Sequence, residues 1–185
     1  MYQRRFIRPV GAVLKGKVSP MLTVPTNIIL PEFAKTGKPV NTSHILAKYH
    51  HSHFPKLRQA AKLARKMLEF SLKLAQPGMS TDDIDKLAHD EIVRNGAYPT
   101  PLNYHGFPKS ICTSVNEVAC HGIPDDRILQ DGDIIKIDVS LFIDGYHGDN
   151  CGTVVVGKGD AKLQHLIDTT KLSVAEAIKT CRPGS

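Results

Sequence analysis

Acidic residues are missing from the first 31 positions, where Arg4, Arg5, Arg8, Lys15 and Lys17 stand unopposed. That gap accounts for most of the formal charge of +6, because 19 of the 24 basic residues and all 18 acidic residues follow it. The body of the chain is nearly neutral, so composition gives no support to a basic nucleic-acid-binding face, and no specific nucleic-acid partner is expected. Long apolar runs are missing too. The longest uncharged stretches, residues 18–31 and 95–108, have 14 residues each and contain several prolines. A membrane-spanning helix needs about 20 mainly apolar residues, so no membrane partner is expected. Cysteines are few: Cys112, Cys120, Cys151 and Cys181 form no CxxC pair and follow no hydrophobic signal core. They read as small buried hydrophobes in a reduced intracellular compartment rather than as a disulfide framework. What remains, 41% hydrophobic and 23% charged residues over 185 positions, is the composition of a soluble globular chain with one core.

Residues 1–54 are punctuated by Pro9, Pro20, Pro25, Pro31 and Pro39 and hold no sustained apolar period, which predicts an extended arm ahead of a domain at 55–185. The Arg-rich, acid-free start of the arm reads equally as an organellar transit peptide, mitochondrial or plastid, and as the basic tail of a cytoplasmic protein. His50, His51 and His53 lack an acidic or cysteine partner nearby and read as a solvated loop rather than a metal tract. After Pro55, the residues Leu57, Ala60, Ala61, Ala64, Met67, Leu68 and Leu72 recur at helical spacing up to Pro77-Gly78. Ser80 or Thr81, with Asp82 and Asp83 behind it, predicts the N-cap of a second helix carrying Ile84, Leu87, Ala88 and Ile92 to Asn95-Gly96. A β-like stretch follows at 110–121. From Ala161 a third helical period runs to Pro183-Gly184, which echoes Pro77-Gly78 and suggests a repeat of the helix, Pro-Gly, helix unit.

Between them lies the clearest pairing signal. Two β-rich runs, 134–143 and 146–156, flank Asp144-Gly145, a dipeptide that supplies the positive φ angles of a two-residue hairpin turn. In that register Asp149 faces Ser140 and Asp138 faces Cys151, so the two aspartates are diagonal neighbours on one face, about 7–8 Å apart at the backbone. Carboxylates so placed can each reach one of two metal ions lying about 3.5–4 Å apart. Asp138 interrupts Ile134, Ile135, Ile137, Val139 and Leu141, a run expected to be buried on both faces, and a buried carboxylate needs a metal or a cationic partner.

Four ordered segments sharpen the reading. Tyr104-His105-Gly106-Phe107-Pro108-Lys109-Ser110, Ser114-Val115-Asn116-Glu117-Val118-Ala119-Cys120-His121-Gly122-Ile123-Pro124, Asp131-Gly132-Asp133-Ile134-Ile135-Lys136-Ile137-Asp138 and Gly145-Tyr146-His147-Gly148-Asp149 together closely resemble the type I methionine aminopeptidases. The resemblance covers about residues 55–185. It implies an α/β (α+β) pita-bread fold, in which two αβ halves enclose a dinuclear metal site, with this chain as the first half. It further implies that Asp138 and Asp149 are metal ligands, that His121 contacts the substrate beside the scissile bond, and that Tyr104, His105, Phe107 and Cys112 line the methionine pocket. The implied cofactors are two divalent ions (cobalt, manganese, iron or zinc). The implied substrates are the N-terminal Met peptides of nascent proteins, processed near the ribosome. The family completes its site with a histidine and two glutamates from a second half that this sequence does not reach, so the isolated chain is expected to be catalytically inactive, poorly stable or oligomeric. The alternative is a non-catalytic half-fold that binds peptides or proteins. A proline-specific peptidase of the same fold is disfavoured by the segment 104–121.

Overall fold

A computed structural model describes residues 13–40 and 47–184. Arg4, Arg5 and Arg8, on which the transit-peptide expectation rests, lie outside the described residues.

Helix α1 (Phe54–Leu74) carries Pro55 in its first turn, where the missing N–H is not needed, and stops just before Pro77-Gly78, where Gly78 takes a φ of 92°. Its buried stripe is Ala60, Ala64, Met67, Leu68 and Ser71, whereas Ala61 is exposed. Helix α2 (Thr81–Arg94) is capped by Ser80, whose Oγ accepts the Asp83 N–H at 3.0 Å, with Asp82 and Asp83 set against the positive end of the helix dipole. Its buried face takes in Asp85 and His89 beside Ile84, Ala88 and Ile92, and so turns Leu87 out to solvent.

One four-stranded antiparallel sheet holds β1 (Tyr98–Pro99), β2 (Cys112–Val115), β3 (Ile134–Ile143) and β4 (Tyr146–Val155). Strand β4 pairs with one edge of β3 along its whole length, while β2 and β1 share the other edge end to end. Asp144 and Gly145 have φ of 51° and 88°, as the two-residue turn requires, and the hairpin keeps the predicted register with Ser140 opposite Asp149 and Asp138 opposite Cys151. The predicted stretch 110–121 yields a strand of only four residues, because Asn116 adopts a φ of 52° and turns the chain out of the sheet.

Burial along β3 alternates. Ile135, Ile137, Val139 and Leu141 are fully buried against a core that includes Ala64, Met67 and Leu68 of α1 and Ile84, Ala88 and Ile92 of α2. Lys136, Asp138 and Ser140 point the other way and are half-buried. The expectation that both faces of β3 are buried is therefore corrected: the helices cover one face and leave the other as the wall of a cleft. Helix α3 (Ala161–Thr180), capped by Asp160, contacts β4 but buries none of its residues. Gly184, after its end, repeats the positive φ of Gly78 at 86°.

Residues 13–40 of the arm contain turns but no helix or strand and lie against the domain, whereas its described end forms a 3-10 turn at His51–His53 that leads into α1. Phe33 is 2% exposed and packs with Ile28, Tyr98 and Leu102 in a second small core. All four cysteines are free thiols, but only Cys112 is buried; Cys120, Cys151 and Cys181 are exposed, which corrects the expectation of buried hydrophobes for those three.

Candidate active site

Cross-strand partners share a face of a sheet, so the pairings Cys112–Asp138, Asp138–Cys151 and Ser140–Asp149 bring these side chains to the face opposite the helices. Of these, Cys112, Asp138, Ser140 and Asp149 form the floor of a cavity of about 680 Å³, whose walls include Pro101, Tyr104, His105, Phe107, His121 and Ile123. All seven residues singled out in the sequence, Tyr104, His105, Phe107, Cys112, His121, Asp138 and Asp149, line this one cavity. Ser140 Oγ donates to Asp149 Oδ1 at 2.8 Å and fixes that carboxylate. Burial pushes the Asp138 carboxyl above its ordinary range; the charge of Asp149 and a hydrogen bond between the two carboxyls push the same way, and His121 offsets them in part. Burial, helped by the negative charge of Asp138, pushes the Cys112 thiol up to about 12, so it stays neutral and lines the cavity as a soft, weakly polar group.

His121 reaches the cavity from a loop, not from a strand. The loop is pinned by side chains from the same sequence segments. Asn116 Oδ1 accepts the Ile134 N–H at 3.0 Å and its Nδ2 donates to Asp133 at 2.8 Å, while Asp133 also pairs with Arg127 at 3.1 Å. His121 sits in the left-handed region at φ 53°, and the next residue runs hard against β2: the Thr113 N–H donates to the Gly122 carbonyl at 2.9 Å, and a Cβ on Gly122 would come within 2.1 Å of the Thr113 carbonyl oxygen. Only glycine fits there, so the His-Gly pair joins a cavity-facing imidazole to a backbone contact that places it.

Behind the cavity lies a polar cluster that sequence reasoning missed. Lys109 is 1% exposed and its ammonium pairs with Asp82 and donates to Ser19 Oγ at 2.6 Å. Asp85 Oδ1 accepts the N–H groups of Ser110 and Ile111 at 2.8 and 3.0 Å, its Oδ2 is buried without a partner, and His89 Nδ1 is hydrogen-bonded to Ser110 Oγ at 2.7 Å. These groups hold the segment that leads into Cys112. A signal was present in part, since Asp85 and His89 are four apart within the apolar period of α2; nothing local marks Lys109 as buried.

Asp138 and Asp149 form a pair of hard oxygen donors that repel one another until a proton or cation lies between them, which is the chemistry of a divalent-ion site. They fit such an ion as two of its ligands. Among the described residues no group of three or more His, Cys, Asp or Glu side chains could hold a metal. The histidine cluster of the arm forms no such group either, for His53 Nδ1 is bonded to the Tyr146 hydroxyl at 2.7 Å while His50 and His51 are exposed.

Comparison with known proteins follows the same lines. Metallopeptidase family M24 matches residues 55–185. The chain is 43% identical over 188 residues to methionine aminopeptidase 1D, mitochondrial, of Dictyostelium discoideum, covering 100% of this chain and 46% of the relative. It is also 43% identical over 182 residues to methionine aminopeptidase 1D, chloroplastic/mitochondrial, of Arabidopsis thaliana, covering 98% and 50%. The crystal structure of methionine aminopeptidase from Rickettsia prowazekii superimposes with a TM-score of 0.67 at 42% identity, over 69% of this chain and 51% of that one. The expected pita-bread architecture holds for this part of the fold. The chain spans about half the length of the curated relatives it matches.

Proposed function

The chain belongs to metallopeptidase family M24, and from that premise we propose that it forms the part of a methionine aminopeptidase that supplies two carboxylate ligands, the substrate-facing histidine and the methionine pocket. The observation that carries the proposal is the convergence of Asp138, Asp149, His121 and the Tyr104–Phe107 wall on one cavity. Asp138 and Asp149 would hold divalent ions, two in the complete site, with cobalt, manganese, iron or zinc as candidates. Bound there, such ions supply Lewis acidity and lower the pKa of water at the reacting carbonyl. The chain's own residues do the rest. Ser140 orients Asp149, His121 hydrogen-bonds the reacting amide, and Tyr104, His105, Phe107 and the neutral thiol of Cys112 receive an unbranched thioether side chain. The substrates would be nascent polypeptides that begin with methionine, met near the ribosome of an organelle; the organellar names of both relatives and the acid-free start of the arm support that setting.

The test is hydrolysis of a Met-Ala-Ser peptide by the metal-reconstituted protein completed with the second half of a relative, with bound metal measured by elemental analysis. Asp138→Asn and Asp149→Asn should lose both metal and turnover, whereas His121→Ala should keep metal and lose turnover by about 100-fold or more. Retention of metal by both aspartate variants would overturn the assignment. The presence of two donors and no third among the described residues favours a second reading for the 185-residue polypeptide taken alone, a peptide-binding half-fold. Peptide affinity without methionine release would select it.

A further inference from the structure

The Tyr104–Phe107 wall of the cavity is a tight loop closed by its own backbone, the Asn103 N–H donating to the Phe107 carbonyl at 2.8 Å and the Phe107 N–H to the Tyr104 carbonyl at 3.0 Å, but that closure runs through strained residues. Asn103 and His105 both occupy the left-handed region, at φ 61° and 49°, followed by Gly106 at 78°. Such conformations persist in non-glycine residues only when the surroundings impose them. Tyr104, His105 and Gly106 are exposed, and a single 3-10 turn is the only regular structure there.

Bracing from outside the loop comes from the arm, a region outside the family match. A tight turn, with the Ala34 N–H donating to the Pro31 carbonyl and the Gly37 N–H to the Phe33 carbonyl, presents Phe33 and Ala34 to this wall. The Phe33 ring meets the Tyr104 ring edge-on at 5.0 Å and 81°, and stacks on His147 at 6.5 Å. The Ala34 carbonyl accepts from Asn103 Nδ2 at 2.9 Å, and Gly37 lies so close to Asn103 that an added Cβ would come within 3.1 Å of its Oδ1. The turn therefore grips the strained residue Asn103 and the ring of Tyr104 together. Farther back, the same segment is tied to the domain by the Gly16 and Lys17 N–H groups, which donate to Asp125 and Asp126 at 2.8 Å each.

We propose that Phe33 is a positioning residue for the substrate pocket: through Tyr104 it sets the wall against which the substrate side chain packs. The proposal rests on the aminopeptidase reading for its consequence in catalysis, but not for its structural content, and the two can be tested apart. Phe33→Leu keeps most of the apolar volume and removes the ring edge. In the intact chain, amide hydrogen exchange at 103–107 should quicken by about three- to tenfold, the range that an aromatic edge contact is worth, with α1 and β3 unchanged. In the active, metal-loaded protein, KM for a methionyl peptide should rise by a similar factor with kcat little altered, and discrimination between methionyl and leucyl peptides should fall. Unchanged exchange at 103–107 would overturn the proposal. So would loosening spread evenly over α1 and β3, since Phe33 would then be ordinary core. Local loosening in a protein that, completed with a relative's second half and loaded with metal, cleaves no peptide would uphold the brace and remove the aminopeptidase reading.

Discussion

Asp82 and Asp85 stand one turn apart on α2 and titrate in opposite directions. Burial alone would raise Asp82, but hydrogen bonds from Lys109, Lys86 and Ser19 outweigh it and hold that carboxyl at about 2. Asp85 has no direct cation, so burial pushes it up to about 6 from an ordinary 3.8, and the Ile111 and Ser110 N–H groups recover only part of the cost. The two therefore act on stability in adjoining windows. As pH falls from about 4 towards 2, Asp82 takes up a proton in the unfolded chain first, and the stability its ion pair contributes is lost. As pH rises from about 4 to 6, the folded state still holds a proton on Asp85 that the unfolded chain has given up, so stability declines and stays lower above pH 6. At 1.36 kcal/mol per pKa unit this second effect is on the order of 3 kcal/mol. Asp85→Asn keeps an acceptor for Ser110 and Ile111 without the charge. Urea midpoints measured from pH 3 to 8 should then decline less steeply between pH 4 and 6, the remaining slope coming from the raised carboxyl of Asp138, while keeping the acid limb. A variant with the wild-type slope would show that Asp85 is not the group responsible.

The hairpin and helix α1 meet more closely than side chains would allow. A Cβ added to Gly148 would lie 2.2 Å from the Ala60 carbonyl oxygen and 2.4 Å from its carbon, both backbone atoms of α1, and Gly152 faces Leu68 and Leu72 of the same helix. Gly148→Ala must therefore lift α1 from β4, at a cost of about 1–3 kcal/mol in line with overpacked cores. Because Asp149 is the next residue, the variant should also bind divalent ions less tightly. Chemical unfolding beside a metal titration would detect both, and wild-type stability would show that the elements can part without strain. This hairpin was legible in the sequence down to its register, because Asp144-Gly145 leaves one choice of turn and a period of two then fixes every partner. The ends of α1 and α2 were legible for the same local reason, through Pro77-Gly78 and Ser80. What could not be read depends on residues far apart in sequence. Phe33 against Tyr104 and Ser19 against Lys109 are contacts across 70 and more residues, and the rotation of α2 that exposes Leu87 follows from what Asp85 and His89 meet on the 109–111 segment. The roles of Asn116, Asp133 and Gly122 were hidden differently: their motif was visible, but not that these members shape the loop that carries His121.

Across the whole molecule, apolar surface is divided unevenly. The core formed by α1, α2 and β3 is closed, with its largest side chains at 0–1% exposure, whereas α3 presents a stripe of apolar residues to solvent. Leu163, Leu166, Ile167, Val174 and Ile178 fall on one side of that helix by their spacing, and Leu166, Val174 and Ile178 are 56%, 56% and 65% exposed. A soluble surface rarely leaves so continuous a stripe uncovered, and burial of each such side chain against another apolar surface is worth about 1.5–3 kcal/mol. The 185-residue polypeptide in isolation should therefore self-associate through α3 and bind an environment-sensitive apolar dye. Changing Leu166, Val174 and Ile178 together to Gln should abolish both behaviours and leave the α1–α2–β3 core, and hence the cooperative unfolding transition, as it was. Light scattering as a function of concentration, run beside dye fluorescence, distinguishes this from general misfolding: association confined to the stripe disappears in the triple variant, whereas a loosely packed core would keep binding dye. A wild-type polypeptide that stays monomeric and dye-silent at high concentration would mean that the apolar stripe of α3 is tolerated in water and drives no contact.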